Sequence, residues 1–144
     1  MKNSSDLKIK NNGNGLPTRM KRQLDQILEY LSALPAVRAV YLFGSRAKGK
    51  ALPMSDLDIC VITRARTSES VKADIRSFSD DKMDISLFWD LPVAMRYRVL
   101  KEGRLLMKRD DGALHSVITG TLREYFDFVP VIRRFAGAVG VHHG

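Results

Sequence analysis

Phe43-Gly44-Ser45-Arg46-Ala47-Lys48-Gly49-Lys50-Ala51-Leu52-Pro53-Met54-Ser55-Asp56-Leu57-Asp58 is the stretch whose reading decides the fold. It lies between two apolar runs, Ala39-Val40-Tyr41-Leu42-Phe43 and Ile59-Cys60-Val61-Ile62. Both runs are short, β-rich and bounded by turn residues, so each predicts a strand. The first strand is placed at Arg38 to Phe43, the second at Leu57 to Thr63. Residues 46–51 suit one helical turn, with Ser45 as its N-cap. On an extended chain Asp56 and Asp58 are two residues apart and share a face, while Leu57 and Ile59 take the other.

Outward from this stretch, Met20, Leu24, Ile27, Leu28, Leu31 and Leu34 recur at helical spacing. They predict an amphipathic helix that begins near Pro17-Thr18 and is stopped by Pro35. Downstream, residues 64–81 suit a surface helix or loop. Lys82 to Trp89 predicts a third strand, in which Met83, Ile85 and Leu87 alternate with Asp84, Ser86 and Phe88. Pro92 opens a helix to about residue 102, with Gly103 as its C-cap. Arg104 to Lys108 reads as a short edge strand, Ala113 to Phe128 as a helix, and Pro130 as the start of a last short helix. The expected fold class is α/β (α+β), a small mixed β-sheet with helices packed mainly on one side. Residues 1–16 read as a flexible N-terminal tail, 17–136 as the domain and 137–144 as a frayed C-terminal tail containing His142 and His143.

The 144 residues suit one domain, and 44% are apolar, enough for a core. No apolar run approaches the ~20 residues that span a bilayer. The N-terminus has no apolar block of the kind a secretory signal carries, so a cytoplasmic location is expected. The single cysteine, Cys60, excludes an internal disulfide and a cysteine-based zinc cluster, and its apolar context reads as an inert core thiol. The net charge of +8 is uneven, with ten Lys/Arg against three Asp/Glu in residues 1–50 and five against eight in residues 51–90. A positive surface beside a carboxylate site suits nucleotide phosphates, nucleic acid or an acidic protein, and equally a solvated surface that aids solubility.

Asp facing a core is costly unless paired or bound to a cation. Asp56 and Asp58 on one strand face, with Asp84 from another strand, offer hard oxygen ligands of the kind Mg²⁺ takes. Taken alone, Asp56 and Asp58 also fit exposed strand-end carboxylates. The Gly44-Ser45 turn adds backbone N–H groups and a hydroxyl that can receive anionic oxygens, with Arg46, Lys48 and Lys50 close by. No Walker-type loop is present. A phosphate cradle ten residues before a divalent-metal platform is the constellation of nucleoside triphosphate chemistry.

Gly44-Ser45, ten residues, then Asp56-Leu57-Asp58 resembles the signature of the DNA polymerase beta-like nucleotidyltransferase superfamily. The fuller match, with Met83-Asp84-Ile85-Ser86 and Arg98-Val99-Leu100-Lys101-Glu102-Gly103-Arg104-Leu105-Leu106, is similar to the minimal nucleotidyltransferases, its compact single-domain branch. The resemblance covers roughly residues 20–109. It implies the nucleotidyltransferase fold and transfer of AMP from ATP to an acceptor hydroxyl, with pyrophosphate released. In that reading Gly44, Ser45 and Arg46 bind the nucleotide. Asp56, Asp58 and Asp84 are catalytic and hold one or two Mg²⁺, and Asp84 also acts as base. The implied partner is a HEPN-type helical RNase toxin, the acceptor a tyrosine of that toxin, and the chain its antitoxin. Two other readings stay open: an antitoxin that neutralises by contact alone, and a nucleotidyltransferase acting on a small molecule or nucleic acid. The chain has no room for the substrate domain of larger relatives, so the acceptor is expected from a partner or a second copy.

Overall fold

The fold is that of a computed structural model, which describes residues 8–9, 15–47, 49 and 56–138. The elements run in the order β1 (Lys8–Ile9), α1 (Thr18–Ser32), β2 (Val37–Phe43), β3 (Leu57–Thr63), α2 (Glu69–Arg76), β4 (Met83–Leu87), α3 (Val93–Glu102), β5 (Arg104–Lys108) and α4 (Asp111–Ala138). Short 3₁₀ turns at Gly44–Arg46 and Phe88–Asp90 follow β2 and β4. The strands form one mixed sheet in the order β1-β5-β2-β3-β4, antiparallel except for the parallel pair β3/β4. That pair needs a crossover, and α2 supplies it.

The mixed α+β sheet agrees with the sequence reading, but the helices are shared between its two faces rather than gathered mainly on one. Leu24, Ile27, Leu28 and Leu31 of α1, with Ile75 of α2, pack on Val40, Leu42, Leu57, Ile59, Val61 and Ile85. Val99 of α3 and Leu114 of α4 pack on Ala39, Tyr41, Cys60 and Ile62 from the opposite face. This is why Val40-Tyr41-Leu42 and Ile59-Cys60-Val61-Ile62 are unbroken apolar runs. A strand covered on both faces has no solvent side to show as alternation.

Four other expectations change. Lys8–Ile9, inside the segment read as a tail, pair with Lys108 and Met107 of β5. That pairing gives β5, expected at an edge, a neighbour on each side. Ser45 lies inside its 3₁₀ turn, whose N-cap is Phe43. Finally, α4 runs through Pro130 without a break. Proline removes one N–H and crowds the carbonyl four residues back. Here Pro130 is exposed, so the freed carbonyl can turn to water. Leu16, also inside the segment read as an N-terminal tail, packs against the α1 core, while residues 1–7, 10–14 and 139–144, with His142 and His143, lie outside the described residues. Among the described residues, no helix is long and apolar enough to cross a membrane.

Candidate active site

The parallel register of β3 and β4 sets Asp58 directly beside Asp84. Leu57 and Ile59 point into the α1 core, as do Met83 and Ile85, so by strand alternation both carboxylates leave from the α3/α4 face. Asp56 precedes β3 and is exposed. The start of β4 is fixed by a tight turn. Asp80 Oδ1 accepts from the N–H groups of Lys82 and Met83, each at 2.8 Å, and Asp80 Oδ2 accepts from Gln23 Nε2 of α1 at 2.7 Å. The Leu57 N–H donates to the Lys82 carbonyl at 2.8 Å, tying the starts of the two strands together. Burial first, then the charges of Asp84 and Asp56, raise the pKa of Asp58 above its ordinary value. Asp58 and Asp84 thus stand side by side at one end of the sheet, close enough to Asp56 to feel its charge, and among the described residues no ion pair offsets them.

The Gly44 turn closes over this group. Phe43 is the register partner of Asp58, so the chain reverses at Gly44 beside that carboxylate. Gly44 has φ +76°, and a Cβ there would overlap Asp58 Oδ2 and lie 3.3 Å from its Cγ. Glycine is required both for the left-handed backbone and for the close approach. Arg46 is buried, and its carbonyl accepts from Arg104 Nη2 of β5 at 3.5 Å. Gly103 lets α3 press on the same region, since a Cβ there would meet the Val99 carbonyl and stand 3.2 Å from the Leu42 carbonyl. Its role is close approach and not a left-handed cap, because its φ is −74°. Lys48, Lys50 and the side chain of Ser45 lie outside the described residues.

The donor set fits Mg²⁺. All three candidate ligands are carboxylates, and the Gly44 backbone forms a tight wall against one of them. Among the described residues, no three His, Cys, Asp or Glu side chains form a group that could hold a metal ion by themselves. Mg²⁺ takes such open sites, keeping waters and drawing its remaining ligands from substrate phosphate. Cys60 plays no part. It is fully buried in the sheet, and burial pushes its thiol up to about 12.

Beside Gly44, on the same face, is a hollow of about 160 Å³ lined by Phe43, Gly44, Met95, Arg98, Val99 and Glu102. The sequence reading assigned no task to these α3 residues. Their spacing carries a signal nonetheless: 95, 98, 99 and 102 form one helical stripe, and its mixture of charge with apolar residues is unusual for a face turned to a core. Arg104, which braces the turn, was likewise unassigned.

A profile of the polymerase beta nucleotidyltransferase family matches residues 25–112. No curated protein matches the chain. Solved structures do. A toxin–antitoxin structure with AMP-PNP aligns at TM-score 0.65 and 18% identity, covering 82% of this chain and 96% of the matched one. The toxin–antitoxin MntA–HepT aligns at TM-score 0.61 and 16% identity, covering 83% and 97%. A complex of a tri-AMPylated HEPN toxin with an MNT antitoxin from Shewanella oneidensis aligns at TM-score 0.60 and 16% identity, covering 82% and 93%. At these identities the likeness is one of fold, and it spans nearly the whole of each matched chain. The family profile covers the Gly44 turn and all three aspartates that the sheet brings to one end. The chain therefore belongs to the polymerase beta nucleotidyltransferase family.

Proposed function

We propose that this protein is a Mg²⁺-dependent adenylyltransferase that moves AMP from ATP to a tyrosine hydroxyl of a HEPN-type RNase toxin and thereby acts as its antitoxin. The observation that carries the reading is the pairing of Asp58 with Asp84 across β3/β4, with the Gly44 backbone packed against Asp58. Gly44, Ser45 and Arg46 hold the triphosphate, and Asp56, Asp58 and Asp84 form the metal platform. Bound Mg²⁺ supplies positive charge for the α-phosphate and the departing pyrophosphate.

The remaining chemistry belongs to the chain. The acceptor oxygen forms a bond to the α-phosphorus. The bond from that phosphorus to the bridging oxygen of the β-phosphate breaks, and pyrophosphate leaves with the electron pair. The acceptor proton passes to the carboxylate of Asp84, which stands on the outer strand of the described sheet and faces solvent. An exposed base suits an acceptor delivered by another protein.

The partner reading draws on a second feature. Leu114, Val117, Ile118 and Tyr125 lie on the stripe by which α4 meets the domain. That stripe continues in helical register as Ile132 and Phe135, which are 49% and 70% exposed. An apolar stripe extending past its own core suits a helical protein partner. The HEPN toxin in one structural relative is AMPylated, and the same modification is proposed here. Contact-only neutralisation uses the same stripe but not the aspartates. Incubation with ATP, Mg²⁺ and the cognate HEPN protein separates the two. Label from the α-phosphate of ATP is expected on the partner, and label from the γ-phosphate is not. Stable complex formation without α-label transfer would favour contact alone.

A further inference from the structure

The hollow beside Gly44 is small against the ~300 Å³ at which whole-ligand pockets begin. It therefore takes part of a ligand. One wall is the Gly44 backbone, which also touches the Asp58 carboxylate. The ligand portion that enters is thus continuous with whatever the aspartates hold. The opposite wall is α3, and its cation is Arg98.

Three other arginines around the sheet, Arg96, Arg104 and Arg109, are committed to structure. Arg96 has a side chain 13% exposed, donates to the Leu91 carbonyl at 2.9 Å and pairs with Glu124 at 3.0 Å. Arg104 donates to the Arg46 carbonyl. Arg109 donates to the carbonyls of Ser32, Leu34 and Val37. Arg98 differs. Its side chain is 60% exposed, and among the described residues its ion pair is with Glu102 at 3.9 Å, beyond hydrogen-bond length. Its guanidinium keeps donors in the fork geometry that matches phosphate oxygens.

Resting on the nucleotidyltransferase reading, we propose that Arg98 binds the terminal phosphates of the nucleoside triphosphate in this hollow and retains the pyrophosphate as it leaves. The β- and γ-phosphates carry most of the negative charge of the substrate, and a cation on their side adds to what the metal and the Gly44 turn supply. Glu102, which also lines the hollow and stands 3.9 Å from Arg98, opposes an anion there, so a bound phosphate must draw the guanidinium away from it. The apolar lining of Phe43, Met95 and Val99 poses the rival occupant, a nucleobase, and affinity for substrate fragments separates the two.

The experiment is calorimetric titration of ATP, pyrophosphate and AMP, each with Mg²⁺, into the wild type, Arg98→Ala and Arg98→Lys. Arg98 is exposed, and an unchanged melting temperature verifies that the variants fold. A charge-assisted contact predicts that Arg98→Ala weakens ATP and pyrophosphate by about 10-fold or more. AMP should change by less than about twofold, because it lacks the groups this contact recognises. Arg98→Lys falls between the wild type and Arg98→Ala. Equal weakening of ATP and AMP would assign the hollow to the base and overturn the proposal. So would unchanged ATP affinity, or a loss on ATP with none on pyrophosphate. Failure of the wild type to bind Mg²⁺-ATP at all would instead remove the nucleotidyltransferase reading on which the proposal stands.

Discussion

Asp58 carries an electrostatic load that no described residue neutralises. Its folded pKa is raised by burial and by Asp84 and Asp56, so the folded state holds its proton more tightly than the unfolded state does. The charged form therefore destabilises the fold above the raised pKa, and the penalty fades as pH falls from there toward the ordinary aspartate value. Asp58→Asn is expected to melt higher than the wild type at neutral pH without divalent ions, and the gap should close as the buffer is acidified through that window. Added Mg²⁺ should raise the wild type and leave the variant unmoved. A variant that melts lower at every pH would show that Asp58 is held by partners and is not kept for a cation. Gly44→Ala should be costly in a different way. A left-handed backbone costs a non-glycine residue about 1–2 kcal/mol, and its methyl displaces the Asp58 carboxylate. Misplacement of this size should lower transfer by about 100-fold in a chain that still folds, as read by denaturation beside a transfer assay. The positions of Asp58 and Asp84 on two strands were legible in the sequence because each sits in an alternating or apolar strand pattern, whereas Asp56, expected on the same strand face, precedes β3. Arg98 was not, because its candidate role depends on a hollow that exists only once α3 packs beside the end of β2.

At the scale of elements, two devices aim the site. One is the α2 crossover, which makes β3 and β4 parallel and so brings Asp84 level with Asp58. The other is Arg109, just beyond β5. Its Nη2 donates to the carbonyls of Ser32 and Leu34 at 2.8 and 3.2 Å, and its Nε to Val37 at 3.0 Å. It thereby closes the end of α1 and fixes where β2 begins. Arg109→Ala is expected to cost about 1.5–3 kcal/mol in chemical denaturation, the range for hydrogen bonds to a charged group; a loss within ±0.5 kcal/mol, the usual surface value, would contradict this role. Periodicity in the sequence located α1, α3 and strands β2 to β5 but missed the two-residue β1 and misjudged the layering. Doubly buried strands look alike whether their second cover is a helix or another sheet, and only the packing of Val99 and Leu114 distinguishes them. It also stopped α4 before Pro130, because the lost N–H and the ring's clash with the preceding turn ordinarily break a helix; here the helix continues through an exposed Pro130. The uninterrupted helix carries Ile132 and Phe135 out from the domain. Phe135→Asp should leave the melting temperature unchanged and weaken capture of the HEPN-type partner, measured by size exclusion or interferometry. Unchanged capture would move the interface elsewhere.

Across the whole molecule, the candidate site residues gather at one end of the sheet while its two faces are given over to packing. Three strands contribute directly. β2 ends in the Gly44 turn, β3 carries Asp58, and β4 carries Asp84 on the outer side, where an incoming acceptor can reach it. The net charge of +8 suits both an anionic substrate and an acidic partner. It says nothing about order, which comes from the strand register. The decisive measurement is mass spectrometry of the cognate HEPN-type protein after incubation with Mg²⁺-ATP and either the wild type, Asp58→Asn or Asp84→Asn. The account predicts AMP on a partner tyrosine with the wild type and none above background with either variant, although both variants still bind the partner. AMP added equally well by Asp58→Asn and Asp84→Asn, or a partner bound by the wild type and left unmodified, would contradict it.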